Sequence, residues 1–345
     1  MPNILQRDFS TISSEFAFHN EIRNSTVLIT GSSGLIGSIL LRSLIKINEE
    51  YNLNINIIGH ARNREKIEKS IGNIKSAKFI YSDIQNLNTN EKVDFIFHCA
   101  APTSSRFYVE KPVDTINTIL CGTRSVLEFA KTKEIKSLVV LSSLESYGTI
   151  FDDTVEVTED CSGLIDPMDV RSSYSLGKKM SECLCRAYSE QYRVAVKVAR
   201  LTQVFGPGIS CEDNRVFAQF SRSIVNGEDI VIHTCGRSAK PYCYTTDTIS
   251  ALFYLIFKGK SGECYNVANS ESYISIRDIA KLLTRIFPES KLVYEIQSKS
   301  SYAPVTKLKL NTSKIQDLGW KPKVGLEKMF LNLIEYLKLQ SYEKK

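Results

Sequence analysis

The chain is poor in histidine and tryptophan, with four of the first and one of the second among 345 residues. His19, His60, His98 and His233 stand far apart in no metal-ligand spacing, so a zinc or iron centre is not expected. Nine cysteines occur (Cys99, Cys121, Cys161, Cys183, Cys185, Cys211, Cys235, Cys243 and Cys264), but the set is odd, irregular and without a Cys-x-x-Cys pair. Reduced thiols are the expected state. Long apolar runs are also missing: the longest, Ile249 to Phe257, contains a serine and an alanine and is too short to cross a bilayer. The amino terminus lacks the charged, apolar and small-residue series of a leader, which predicts a cytoplasmic protein with no membrane association. Lys and Arg number 44 against 38 Asp and Glu, a net charge of +6. These bases are scattered rather than gathered into a stripe with interleaved aromatics, which argues against a nucleic-acid partner. Mild basicity suits an anionic small substrate equally well.

What is present is a regular alternation. Hydrophobic residues make up 43% of the chain, enough for a sizeable core. Short apolar runs (Val27 to Ile29, Ile55 to Ile58, Lys78 to Tyr81, Phe95 to His98, Leu138 to Leu141, Val194 to Val198) are separated by amphipathic stretches, among them Leu35 to Ile47, a charged helix from Arg62 to Ser70, about Val113 to Lys131, and 171 to 191. Continuous short runs between helices are the pattern of buried parallel strands. The expected fold class is α/β: a doubly wound parallel sheet of the Rossmann type with a smaller carboxyl-terminal substrate-binding lobe. Residues 1–24 form an arm, docked or loose, anchored by Phe9, Phe16 and Phe18. Residues 25–205 make mainly the dinucleotide-binding domain and 206–340 mainly the second lobe, with some exchange of chain between the two. No internal repeat is present.

The first strand runs into Thr30-Gly31-Ser32-Ser33-Gly34-Leu35-Ile36-Gly37. Between a strand and a helix such a turn has a mechanism: Gly31 permits the tight bend, Gly34 lets backbone approach a pyrophosphate, and Gly37 lets the helix pack closely. Free N–H groups of Ser33, Leu35 and Ile36 at a positive helix end then hold phosphates. At the end of the second strand, Gly59-His60-Ala61-Arg62 offers no acid for a ribose hydroxyl, while Arg62 can take a 2′-phosphate. This favours NADP(H) over NAD, the alternative being that Arg62 only opens a solvated helix. Asp83 and Ile84 follow the third strand as adenine-edge contacts, or Asp83 is a turn residue.

Tyr174 and Lys178 lie one helical turn apart and share a face. A free phenol has a pKa of about 10. A neighbouring ammonium and a positive nicotinamide ring are expected to lower it toward the working range. Lys178 also has the reach to orient a ribose hydroxyl. Ser143 closes the fifth predicted strand, at the end where such sheets bind ligands, and can polarise a substrate hydroxyl or carbonyl.

With these motifs go His98-Cys99-Ala100-Ala101, Ser142-Ser143-Leu144-Glu145-Ser146-Tyr147-Gly148, Phe205-Gly206-Pro207-Gly208 and Leu318-Gly319-Trp320-Lys321-Pro322. Over about residues 25 to 335 the sequence resembles the extended short-chain dehydrogenase/reductases, within them the nucleotide-sugar epimerase/dehydratase family. The resemblance implies that Ser143, Tyr174 and Lys178 are catalytic, that Ala100 and Ala101 line the cofactor, and that the substrate is a nucleoside-diphosphate sugar oxidised at C4. A 4-keto sugar then leads to epimerisation, dehydration, decarboxylation or simple reduction. Dehydratases of this kind place an acid pair after the catalytic Ser or Thr; here Leu144 replaces the first acid and Glu145 keeps the second, as a base at C5 or as a solvated loop carboxylate. The usual Asn before Gly122-Thr123 is Ile119. Arg215, Arg237 and Lys240 are candidates for the diphosphate, or are surface bases. A homodimer through helices 113 to 131 and 171 to 191 is implied. Two alternatives stand beside the epimerase/dehydratase expectation: an NADPH-dependent 4-ketoreductase of a 4-keto-6-deoxy sugar nucleotide, and a non-catalytic dinucleotide sensor.

Overall fold

The computed structural model describes residues 3–72, 74–102, 105–296 and 305–343, without the side chains of 105, 106, 342 and 343. Seven parallel strands form the main sheet: β1 (Thr26–Thr30), β2 (Asn56–Ala61), β3 (Lys78–Tyr81), β4 (Phe95–His98), β5 (Ser137–Ser143), β6 (Val196–Leu201) and, from far along the chain, β10 (Cys264–Val267). Their order is β10-β6-β5-β4-β1-β2-β3, so the winding reverses between β1 and β4. A doubly wound sheet opens a ligand crevice at the carboxyl ends of its strands there.

Strand interiors alternate between two cores. Leu28, Ile58, Ile96, Leu138 and Val140 face helices Pro112–Lys133 and Ser172–Tyr192, while Val27, Ile29, Ile57, Phe97 and Val139 face helices Leu35–Tyr51 and Thr245–Lys258. Burial on both faces is why these strands read as unbroken apolar runs. Helix ends fall where the chain turns left-handed, at Asn52, Glu134 and Arg193, each with a positive φ. Pro112 opens its helix at the first position, where its missing N–H costs nothing.

The amino-terminal arm is docked. Asn3 caps helix Ile4–Ser14, and Phe9, Ile12, Phe16 and Phe18 are buried beside helices Leu35–Tyr51 and Thr245–Lys258. The Asp8 carboxylate accepts from the Tyr244 hydroxyl at 2.9 Å, and that hydroxyl accepts from the Asn332 amide at 3.0 Å. The second lobe holds a three-stranded sheet, β11 (Asn269–Ser275), β9 (Ala239–Tyr244) and β7 (Gln203–Phe205), and a pair, β8 (Ile230–Ile232) with β12 (Leu292–Tyr294). The chain crosses back between the lobes: β10 and helix Thr245–Lys258, both beyond residue 206, complete the main sheet and its lower core. Asp247 at the start of that helix accepts from the N–H groups of Lys323 and Val324, and its carbonyl takes the Trp320 indole N–H at 3.1 Å. The Leu318 to Pro322 motif is therefore a clamp on the interlobe helix.

Candidate active site

At the carboxyl end of β1 the chain bends with Gly31 at a φ of +67°, and a Cβ there would lie 2.7 Å from the backbone of Ala100. Only glycine satisfies both demands. A Cβ on Gly37 would collide with the Gly31 carbonyl, so the helix sits directly against the turn. Helix Leu35–Tyr51 opens at Gly34 with no side-chain cap, which leaves its first N–H groups for an anion. Ser32 closes the turn from below, its N–H and Oγ both donating to the His60 carbonyl at 3.1 Å. This cradle fits the pyrophosphate of a dinucleotide, and Ser33, Gly34, Leu35 and Ile36 are the residues that would hold it. Ala100 and Ala101 lie partly buried across the crevice after β4.

Farther out, Arg62 is exposed at the end of β2 and Asp83 is exposed after β3. The Asp83 side chain caps a short 3₁₀ turn by accepting from the Gln85 N–H at 3.3 Å. Ile84 is 4% exposed and packs with Leu28, Ile58 and Val126 while covering Gly122, so its side chain belongs to the upper core.

The sheet brings Ser143, Tyr174 and Lys178 together from residues 31 to 35 positions apart. Ser143 ends β5, and its Oγ accepts from the Glu145 N–H at 3.2 Å. Tyr174 is 9% exposed. Burial pushes its phenol up to about 12, the neighbouring hydroxyls of Ser143 and Tyr108 pull it down, and the charges of Glu145 and Arg215 oppose each other around it. The expected lowering by Lys178 does not arise within the chain. The Lys178 ammonium donates to the Leu141 carbonyl at 2.7 Å and stands 5.8 Å from the Tyr174 ring centre. Burial lowers Lys178 itself to about 8, against the pull of Glu182. His98 is no rival acid or base: burial holds its imidazole near 3, and Thr30 binds Nδ1 at 2.8 Å.

Helix Ser172–Tyr192 is fixed from three sides. Ile119, where an Asn was expected, packs on Gly177 between the Tyr and the Lys, close enough that a Cβ at 177 would lie 3.3 Å from its Cδ1. Below, Glu182 receives the Arg200 guanidinium in a fork (Nε to both oxygens at 3.1 Å, Nη2 at 2.7 Å) and the Ser142 hydroxyl. Above, Ser173 donates to the Tyr108 carbonyl at 3.2 Å, and the Tyr108 ring stacks on Tyr174 with centres 4.2 Å apart and planes 11° from parallel.

Leu144 is 2% exposed and turns into a small apolar cluster with Tyr147, Val157, Ala268, Leu308 and Leu310. Glu145 is exposed, and its charge reaches both Tyr108 and Tyr174. Among the three expected anion ligands, Arg215 alone is felt at the Tyr174 phenol, and it is already forked to Asp213, with its shortest contact at 2.5 Å. Lys240 is half-buried in β9 with no ion pair among the described residues. Arg237 is exposed and donates to the Cys235 sulfur at 3.4 Å. Tyr108 and Asp213 were not found from the sequence. Asp213-x-Arg215 carried a signal in its Asx turn, with Arg215 N–H to the Asp213 carboxylate at 2.9 Å; Tyr108 carried none. Among the described residues there is no group of metal-ligating side chains, and no helix is long and apolar enough to cross a membrane.

Fold and site define the class: a doubly wound α/β protein with a glycine-rich nucleotide cradle beside a Ser-Tyr-Lys cluster. The model of the NAD dependent epimerase/dehydratase family matches residues 27–268, and the chain is an enzyme of that family. It is 29% identical over 307 residues to UDP-glucuronic acid decarboxylase 6 of Arabidopsis thaliana, covering 88% of this chain and 86% of the relative. It is 26% identical over 322 residues to dTDP-D-glucose 4,6-dehydratase of Bos taurus, covering 90% and 88%. In fold it matches UDP-glucose 4-epimerase of Thermotoga maritima with a TM-score of 0.78 at 23% identity, over 92% of this chain and 99% of the other.

Proposed function

We propose that the protein oxidises a nucleoside-diphosphate sugar at C4, with Tyr174 as the acid–base group. The observation that carries this reading is the Tyr174 hydroxyl, buried with the Ser143 hydroxyl near enough to lower its phenol, at the same carboxyl edge of the sheet as the glycine cradle. A nicotinamide dinucleotide bound in that cradle would supply the hydride acceptor and donor, and in its oxidised form a positive ring that favours the phenolate. Tyr174 takes the proton of the C4 hydroxyl, and Ser143 donates to the sugar oxygen as it becomes a carbonyl. Lys178 orients the cofactor ribose. Relatives named UDP-glucuronic acid decarboxylase and dTDP-D-glucose 4,6-dehydratase and a solved neighbour named UDP-glucose 4-epimerase are consistent with such an opening oxidation followed by different sequels. Because Leu144 is part of the apolar core and cannot protonate a leaving hydroxyl, loss of water across C5 and C6 is the least supported sequel. Lys240, with Arg215 if Asp213 releases it, is available to the diphosphate.

A second reading is net reduction of a 4-keto sugar by NADPH. It is favoured by Arg62, exposed at the end of β2 with no acid beside it. A homodimer through helices Pro112–Lys133 and Ser172–Tyr192 is supported by exposed Val113, Ile116 and Met180. A cytoplasmic location is supported by the odd, irregularly spaced set of nine cysteines, which does not suit a disulfide framework.

The test is NMR of products from UDP-, dTDP-, GDP- and CDP-sugars, uronic acids included, with NAD or NADPH. A new sugar without net cofactor consumption supports the first reading; NADPH oxidation in step with loss of a 4-keto sugar supports the second. Tyr174→Phe is expected to lower kcat/KM by about 10²- to 10⁴-fold without unfolding the protein. Full turnover by that variant would remove Tyr174 from the reaction, whereas dinucleotide binding by a parent protein that turns over no sugar would leave the sensor reading in its place.

A further inference from the structure

The two stacked tyrosines present an asymmetry. Tyr108 sits in helix Ser105–Glu110, tied to the Tyr174 helix by the Ser173 hydroxyl at its own carbonyl, 3.2 Å away. Its ring lies flat on Tyr174, and the interaction of the two phenols raises Tyr108 and lowers Tyr174, the sense expected when Tyr108 is the donor. Its hydroxyl also lies 3.4 Å from the Pro102 carbonyl, a long bond for an O–H donor. A phenol has one proton to donate and rotates it to the better acceptor. Charged acceptors make hydrogen bonds roughly twice as strong as neutral ones.

We propose that Tyr108 is a positioning residue for Tyr174: its hydroxyl rests on the Pro102 carbonyl while Tyr174 is neutral and turns to the Tyr174 oxygen when that oxygen becomes a phenolate. The proposal rests on the acid–base role of Tyr174 given above. It assigns the stabilisation that Lys178, held by Leu141, does not deliver within the chain. Burial pushes the Tyr108 phenol far above its ordinary value, so Tyr108 keeps its proton while Tyr174 loses its own. The other groups facing the pair are the Ser143 hydroxyl, the Glu145 carboxylate, the Arg215 guanidinium with Asp213, and the Lys178 ammonium. Glu145 and Arg215 act on both phenols with opposite sign, which leaves the Ser143 and Tyr108 hydroxyls, each of which lowers Tyr174, as the local lever on it.

Tyr108→Phe keeps the stack and removes the donor. With NAD bound and tyrosine labelled at Cζ, the Tyr174 resonance, assigned by its loss in Tyr174→Phe, is expected to titrate about one pH unit higher in Tyr108→Phe. The acid limb of the kcat/KM profile should move with it, giving about tenfold lower activity near neutrality and recovery toward the parent plateau at alkaline pH. An unmoved Tyr174 titration overturns the proposal, as does a loss of activity equal at every pH, which is the mark of damaged packing. The NMR titration needs no turnover. A parent protein inactive on every sugar therefore counts against the proposed function, whereas an unmoved resonance in a working enzyme counts against Tyr108 alone.

Discussion

Two buried lysines, at opposite ends of the neighbouring strands β5 and β6, are lowered alike by burial and have different surroundings. Lys178 lies at the carboxyl edge of β5 and donates to the Leu141 carbonyl; Lys197 lies in β6 toward the other end and donates to the Ser137 hydroxyl at 2.7 Å. Burial lowers each to about 8, and no carboxylate takes either in a salt bridge among the described residues. Only Lys178 has a phenol and a glycine cradle at its end of the sheet. Ser137 passes its own proton to the Ile256 carbonyl, so Lys197 finishes in a local hydrogen-bond chain at the lower core. The pair shows that a perturbed lysine marks a site only where the fold places it beside other chemistry. One turn along from Lys178, Glu182 shows the opposite arrangement, a buried charge fully met by Arg200 and Ser142. That paired charge fixes the helix that carries Tyr174 and Lys178.

Substitution can break this contrast. The largest effect on stability is expected from Glu182→Gln, which leaves Arg200 buried without its partner: a loss of about 3 kcal/mol in urea unfolding. An unchanged midpoint would mean that the fork contributes little. Next is the lysine pair itself. Lys178→Met should lower kcat/KM by roughly 10²-fold and weaken dinucleotide binding, while Lys197→Met should leave kcat/KM within about twofold. Lys197→Met should also stabilise the protein by about 2 kcal/mol near neutral pH. The sign follows from proton counting: with a folded pKa of about 8 against 10.5 unfolded, the unfolded chain binds more protons in that window, so parental stability rises with pH there. The advantage of Lys197→Met should accordingly shrink as pH climbs from about 8 to about 10.5. Equal catalytic losses in both variants would erase the distinction between the two ends of the sheet.

The smallest effect concerns the docked arm, a buried acid remote in sequence from either lysine. Burial raises Asp8 from 3.8 to about 7 against the Tyr244 hydrogen bond. The folded chain then binds the extra proton between those values, and stability falls as pH rises through them. Asp8→Asn, which keeps an oxygen for Tyr244, should flatten that slope and gain on the order of 1–2 kcal/mol above about pH 7, read as urea midpoints across the range. A parallel slope in the variant would place the proton elsewhere, with Asp247, raised by burial to about 6, the next group to test.

The strands of the main sheet were legible because each is buried on both faces and writes an unbroken apolar run. Phe95 to His98 and Lys78 to Tyr81 fall where the pattern put them, and helix Ser172–Tyr192 lies within a residue of its periodic stretch. β10 was not legible: Asn266 interrupts the short run Cys264 to Val267, and its place beside β6 depends on a crossover from the second lobe. At the site, the glycine turn and the Ser, Tyr and Lys were readable because each carries a local constraint of conformation or spacing. Arg215 was readable as a cation but not as one already forked to Asp213. Leu144 was readable as a missing acid, and the structure adds that it is a core residue.

Sequence alone determined the class of chemistry, since a strand–glycine–helix turn and a Tyr and Lys one turn apart are local patterns that a short stretch of chain specifies. Tertiary structure decided the electrostatics of the site. Burial, the carbonyl that holds Lys178, the ring laid over Tyr174 and the carboxylate that occupies Arg215 all come from segments distant in sequence, and charge in a low-dielectric interior is governed by what lies within a few ångströms rather than by what is adjacent along the chain.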